Sequence, residues 1–439
     1  MKKVVAVILT VLILCSCSKI DERPIISENT DSDPAINAET TYGTYKETSP
    51  ESASPPKSET LTEPAEPQPI LKENIDHAAF DSMIEECARQ NGAVGMGLCV
   101  FAGGRVIYET DLGYADVEND IMCDSSTVYR VASVSKLISA MALMTLYDEG
   151  KIDPYSDLEE LTGLPYNSGY SENRVLLWNL LTHTAGLVDG SVYLNSASNY
   201  YDVSYVIRNS RSGGAVGKNY LYTNFGAGTI GSVAETVTGE FFHRFASRVI
   251  FDKLDMNAAY CADLLKDRSQ CANIYQYGTL RMTPKSWGRT SGYYERFGLG
   301  NSYLNAQCEL LISPKDLARL GIVISGDGSV DGVRILSKEA VDLINTPYFK
   351  SDSIPFDMGL CTRIYNGNLV EGRQIYGHSG SAYGSVCGLY YEPETKTGIA
   401  LCTSGCNLGA DQKNGVFYII EDCIRCVYDT FFTAPQNNT

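Results

Sequence analysis

Ser133 and Lys136 stand three residues apart in Val131-Ala132-Ser133-Val134-Ser135-Lys136-Leu137, at the head of an apolar run through Ile138, Met141, Ala142, Met144, Leu146 and Tyr147. On a helix, residues at this spacing share a face about one turn apart, so the hydroxyl and the amine can meet. A serine hydroxyl is a weak nucleophile at neutral pH, and a lysine kept neutral by burial and nearby positive potential can take its proton. At a helix start the serine's own amide also points outward, available to a developing oxyanion. Ser16-x-x-Lys19 and Ser54-x-x-Lys57 share the spacing but open no apolar helix, so context selects Ser133.

The surrounding elements must place these groups. Thr127 to Val131 is an extended piece that delivers the chain to Ser133, and the helix behind it ends at Gly150. Upstream, Phe80, Met83, Ile84 and Cys87 fall at i, i+3, i+4 and i+7 of a helix from about Asp76 to Asn91. Val94 to Phe101 and Val106 to Tyr114 read as a hairpin. From Lys151 to about Arg281 the chain is helices and long loops, including Leu176 to Leu181, Phe225 to Gly239 and Phe241 to about Leu254. Helices at Ile312 to Ile324 and Ser337 to Ile344 follow. Strands are expected at Phe356 to Tyr365, Gln374 to His378, Gly384 to Glu392 and Thr397 to Thr403, then a helix from about Asn414 to Phe432. The fold class is α/β of the α+β type: an antiparallel sheet flanked by helices, with an inserted, mainly helical domain at about 151–281.

The 439 residues are 44% hydrophobic and 20% charged, enough to bury a sizeable core. A net charge of -18 excludes nucleic acid as a partner. Lys2 and Lys3 precede an apolar run from Val4 to Leu14, too short to span a membrane and suited to a secretory signal. Leu14-Cys15-Ser16-Cys17 resembles a bacterial lipobox, which implies a signal peptide over 1–16, a lipid anchor on Cys17 with Cys15 as the second choice, and an extracytoplasmic location at the cell membrane. Residues 17–72 are rich in Ser, Thr, Glu and Pro and are expected to form a disordered tether. A flexible coil of roughly 55 residues spans about 40 Å. A folded body over 73–432 and a tail at 433–439 complete the chain. The fourteen cysteines show no regular framework. Cys402-x3-Cys406 with Cys423-x2-Cys426 has the look of a zinc pattern or a disulfide source, but burial as small apolar residues is the simpler reading, and no metal is expected.

From about residue 76 to 432 the chain resembles the serine beta-lactamase and penicillin-binding-protein superfamily, in its class C beta-lactamase and D-alanyl-D-alanine peptidase branch. The resemblance rests on Ser133-x-x-Lys136, Gly150-Lys151-Ile152-Asp153, Leu180-Leu181-Thr182-His183-Thr184-Ala185-Gly186-Leu187, Tyr222-x-Asn224 and His378-Ser379-Gly380, in that order. It implies that Tyr222 shares a proton with Lys136 as general base or acid, that Asn224 holds the lysine and the substrate amide, and that the Ser381 amide joins that of Ser133 in an oxyanion hole. Tyr222 can do so only if nearby positive charge lowers its pKa from about 10. Tyr193-x-Asn195 and Tyr303-x-Asn305 lack the following Gly- and Ala-rich helix. A literal Lys396-Thr397-Gly398 sits in a turn, so His378, Ser379 and Gly380 are preferred as substrate-binding residues. His183 is expected to pack behind the site, and Ser135 to face away from Ser133.

The implied activity is that of a serine acyl-enzyme hydrolase without cofactors. Its partners would be a peptidoglycan-derived peptide, a beta-lactam or a small ester or amide, with the membrane reached through the lipid anchor and a monomer favoured. A histidine where the family keeps lysine is half protonated near pH 6.5, so turnover of carboxylate substrates should weaken as His378 deprotonates. The rival from another class is a non-catalytic wall-binding or sensor protein on the same fold.

Overall fold

The computed structural model describes residues 71–168, 174–407, 410–411 and 414–433. The signal segment, Cys15, Cys17 and all of the tether but its last two residues lie outside them. Those two belong to the folded body: Leu71 pairs with Phe432 in a β-bridge and the Lys72 amide donates to Phe431 O at 3.0 Å.

Helix α1 (His77–Gln90) is capped by Asp76, whose carboxylate accepts from the Ala79 amide at 3.0 Å. It buries Phe80, Ile84, Cys87 and Ala88 on one face. Strands β1 (Gly95–Ala102), β2 (Arg105–Asp116) and β3 (Ile121–Met122) follow, then helix α2 (Val134–Asp148). The middle of the chain holds short helices and α3 (Asn224–Thr238), then α4 (Pro314–Ser325) and α5 (Lys338–Asn345). Strands β4 (Asp357–Met358), β5 (Arg363–Asn366), β6 (Gln374–Ala382), β7 (Ser385–Glu392) and β8 (Thr397–Gly405) precede the last helix, α6 (Tyr418–Phe431). The sheet is antiparallel throughout, in the order β4-β5-β6-β7-β8-β1-β2-β3, so the two ends of the chain meet where β8 pairs with β1.

Both faces of this sheet are covered, and its central strands read as nearly unbroken apolar runs for that reason. The period of two sorts them. Met96, Leu98, Val100, Val386, Tyr390, Ile399 and Leu401 pack under α1 and α6 with Ile420, Ile424 and Phe431. Cys99, Phe101, Cys387, Leu389, Tyr391 and Ala400 face the larger core that contains α2, α3 and α4. Each large apolar side chain so buried contributes about 1.5–3 kcal/mol.

Four expectations are corrected. The strand expected over Phe356 to Tyr365 breaks into β4 and β5, because Cys361 adopts φ +54° and its amide is drawn to Leu181 O at 2.7 Å. The strand expected to stop at His378 runs to Ala382, which places His378-Ser379-Gly380 inside β6. The last helix starts at Tyr418, since Gly415 turns left-handed at φ +71° and Val416–Phe417 pairs with Ala410–Asp411. The helix expected from Phe241 to Leu254 divides at Ser247 into an α turn and a π turn. The four cysteines of the zinc-like pattern do not gather: Cys402 pairs across from Cys387 within the sheet, while Cys426 on α6 meets Cys87 on α1, sulfur to sulfur at 3.8 Å. Among the described residues no helix is long and apolar enough to cross a membrane.

Candidate active site

The turn that opens α2 is tight. Ala132 takes φ +47°, a left-handed conformation rare outside glycine. Amides of Val134, Ser135 and Lys136 then bond three residues back, at 3.2, 3.0 and 3.1 Å. Ser133 occupies the N-cap position, yet its side chain makes no capping bond. The hydroxyl is therefore left for another partner. From Val131 to Leu146 every residue but Ser133 is buried, so the turn meets solvent at the serine.

That partner is Lys136, whose side chain is fully enclosed. Its Nζ lies 2.9 Å from Ser133 Oγ, 2.9 Å from Asn224 Oδ1 and 3.0 Å from the Gln307 carbonyl. The amide oxygen and the carbonyl can only accept, so each claims an N–H. A hydroxyl can also donate. When the amine is neutral its lone pair thus falls to the third position, facing Ser133.

Asn224 is held in that orientation by Asp189. The asparagine Nδ2 donates to Asp189 Oδ2 at 3.0 Å, which turns Oδ1 toward the lysine. The same carboxylate accepts from the amides of Asn224 and Phe225 at 3.1 and 2.8 Å and from Thr223 Oγ1 at 2.6 Å. Those amides begin α3, where the first turn has no partner of its own. Asp189 therefore caps one helix and aligns the partner of a residue on another.

Tyr222 sits differently from expectation. Lys136 Nζ lies over its ring, 5.1 Å from the centroid, and Arg363 approaches the ring at 5.8 Å. The His183 and His378 rings lie 4.5 and 6.3 Å from it, centre to centre. The amine's acceptors are Ser133, Asn224 and Gln307, so in this geometry the tyrosine offers Lys136 its π face rather than its hydroxyl.

Strand β6 forms the opposite wall. A Cβ on Gly380 would stand 2.2 Å from Val131 O and 2.7 Å from Ser133 N, so only glycine lets the strand reach the turn. Ser379 is buried and Ser381 partly exposed. His378 is 1% exposed, and its Nδ1 donates to Ser379 O at 2.6 Å, the other ring nitrogen having no partner. Burial, then Arg363 and then Lys136, hold this imidazole well below the ordinary histidine range. The expectation that His378 supplies a charge near pH 6.5 is therefore corrected: it is neutral there. His183, whose Nδ1 accepts from the Thr223 amide at 3.3 Å, is held down by burial, Lys136 and Arg363 in turn.

The rival motifs fall elsewhere. Thr397 pairs with Glu392 at the far end of β7, five residues from the Cys387 that faces Gly380, about 17 Å along the strand. Tyr193 donates to the Gln307 side chain at 2.6 Å, and Asn305 to Tyr260 O at 2.9 Å. Ser135 faces away from Ser133, accepting from the Leu310 amide at 3.1 Å. Three participants escaped the sequence reading: Asp189, Arg363 and the Gln307 carbonyl. Asp189 could have been suspected as the carboxylate just past Thr184-Ala185-Gly186-Leu187. A backbone carbonyl leaves no trace in residue type.

A sequence model of the family described as Beta-lactamase matches residues 80–418. An uncharacterized protein of Mycobacterium tuberculosis is 25% identical over 296 residues, covering 58% of this chain and 67% of that protein. Among solved structures, an octameric penicillin-binding protein homologue from Pyrococcus abyssi is similar at TM-score 0.61 and 23% identity, over 80% of this chain and 77% of its own. A D-amino acid amidase from Ochrobactrum anthropi is similar at TM-score 0.61 and 17% identity, over 80% and 99%. At these identities the structures share the fold.

Proposed function

The chain belongs to the beta-lactamase family of serine hydrolases, and from that premise we propose that it forms and hydrolyses an acyl-enzyme on Ser133. The observation that carries this reading is the arrangement around Lys136, in which two pure acceptors leave the third position of the amine to the Ser133 hydroxyl. Attack of Ser133 Oγ on a carbonyl passes its proton to the unprotonated form of Lys136, which returns it to the leaving group. The oxygen of the tetrahedral intermediate is received by the amides of Ser133 and Ser381, and Gly380 permits that approach. Water then repeats the sequence on the ester. Tyr222 lines this path and holds its ring against the lysine.

The substrate class we propose is a D-configured amide or ester, with the D-alanyl peptide of cell wall first and a beta-lactam second. The D-amino acid amidase among the fold neighbours supports the D-configured amide. The export signal and Cys17 lipid anchor, proposed from sequence, support a wall substrate. Treating the purified ectodomain with labelled penicillin and with a fluorophosphonate, then mapping the adduct by mass spectrometry, tests the reading. An adduct on Ser133 that disappears in Ser133→Ala is expected; no adduct on Ser133 with either reagent would favour the non-catalytic alternative.

A further inference from the structure

The Cys423-x2-Cys426 spacing, unused by the chemistry at Ser133, faces a third cysteine across the interface of the two terminal helices. Cys426 on α6 lies 3.8 Å from Cys87 on α1, sulfur to sulfur, though 339 positions separate them in the chain. The packing around them fixes this meeting. Phe80 on α1 makes an edge contact with Phe431 on α6, ring centres 4.9 Å apart, and as α1 advances to Cys87 its partner retreats to Cys426. The helices therefore run antiparallel. Ile84, Ile420, Ile424 and Val427 hold them against the sheet, and the two thiols face each other about two turns along α1 from the ring contact.

A sulfur–sulfur bond of about 2.05 Å needs a closure of roughly 1.8 Å from that contact, within the reach of rotation about the cysteine side chains. Cys426 is half-buried, so an oxidant can reach it, whereas Cys423, one turn earlier on α6, is fully enclosed. Cys387 and Cys402 also stand opposed, on β7 and β8, but both are sealed within the fold. The reduced pair is poorly suited to redox catalysis. Cys423 and then burial push Cys87 up to about 12, and Cys87 and then burial raise Cys426, so few thiolates form at neutral pH. A disulfide carries no charge, and burial does not oppose it.

We propose that Cys87 and Cys426 are a disulfide-forming pair that staples α1 to α6 outside the reducing cytoplasm. The oxidant is a small-molecule or protein disulfide. The Cys426 thiolate attacks one of its sulfurs, forming a mixed disulfide and releasing one thiolate; the Cys87 thiolate then attacks Cys426 Sγ, forming the protein disulfide and releasing the second. Two protein thiols are oxidised, the oxidant's disulfide is reduced to two thiols, and the protons given up by the cysteines go to those thiols. The export signal proposed from sequence supports such a setting. The staple closes almost the whole folded body into one loop, and it lies on the face of the sheet opposite α2 and Ser133, so it bears on stability and not on the chemistry of the site.

The test takes the full chain, equilibrated with oxidised or with reduced glutathione, alkylated after denaturation, digested without reduction and mapped by mass spectrometry. The oxidised sample should yield a peptide pair linked through Cys87 and Cys426 that a reductant separates, and should melt about 5 °C above the reduced sample. Cys87→Ala and Cys426→Ala should each lose the linked peptides and the difference in melting temperature, while Cys423→Ala keeps both. A link from Cys87 to Cys423, glutathione adducts with no internal link, Cys87 and Cys426 both alkylated in the oxidised sample, or a melting difference that survives in Cys87→Ala would overturn the proposal. Should Cys87→Ala not fold, Cys426→Ala, at the half-buried position, and the linked peptides of the wild-type chain decide.

Discussion

Asp189 decides which end of Asn224 faces Lys136: its carboxylate takes the amide nitrogen at 3.0 Å and leaves the oxygen, 2.9 Å from the amine, as the only group the asparagine can offer. Replacing Asp189 by Ala frees the amide to rotate and uncaps α3. We expect a fall of about 10²-fold in the rate of Ser133 labelling, beside a stability loss of about 1–2 kcal/mol from the cap. Asp189→Asn keeps one acceptor and should fall between. Labelling kinetics and thermal unfolding on the same samples separate the two effects; equal labelling rates in Asp189→Ala and wild type would contradict the role.

Lys136→Arg should be as inactive as Lys136→Ala. Arginine keeps the positive charge and the reach, but it does not give up its proton, so it cannot receive one from Ser133. General-base removal costs about 10²–10⁴-fold. Fluorophosphonate acylation rates check this, and an active Lys136→Arg would mean that the lysine serves only as a charge.

Gly380→Ala should cost both activity and stability. The added methyl would press on Val131 O and on the Ser133 amide, and relief requires β6 to move away from the turn. Overpacking of this kind costs about 1–3 kcal/mol. Calorimetry measures that part; acylation of Ser133 slower by more than tenfold measures the displaced wall. Unchanged acylation would show that the approach of β6 is not needed.

Stability should decline as pH falls below about 6.5. His183 and His378 are both held well below the ordinary histidine range by burial and by the two cations near them. In the unfolded chain each gains a proton as pH falls through about 6.5, whereas in the folded chain neither does until lower pH. The unfolded state then binds more protons, so the full stability above that pH is lost on acidification. The loss approaches about 1.4 kcal/mol per histidine for each pH unit. Melting temperatures at pH 5, 6 and 7 check the sign; His378→Gln should flatten the slope. For the same reason, titration of His378 should leave no inflection in the activity profile from pH 5.5 to 8.

That Ser133, Lys136 and Asn224 meet was legible because the first two lie one helical turn apart and the third opens a later long helix, features that residue types report. The burial of His378 was not. A histidine's charge is set by what packs around it, and the neighbours that matter, Arg363 and Lys136, come from strands and helices remote in sequence. Arg363 was hidden inside a stretch read as one continuous strand; only the left-handed Cys361 ends that strand and sets the arginine opposite Gly377. The sheet as a whole was readable, since short apolar runs bounded by turn signals mark its central strands, but its breaks are made by backbone donors captured from other segments.

The β-bridge of Leu71 with Phe432 has a topological consequence. It brings the two ends of the folded body into contact, so that body is nearly a closed ring. A short linker from Thr433 back to Leu71, with the chain reopened at the exposed Gly103-Gly104 tip, gives a circular permutant that keeps every strand pairing in the sheet. In such a permutant β1 would follow β8 along the chain, and their pairing would become a local one. The distance in sequence between these two central strands is then a matter of descent rather than of mechanics.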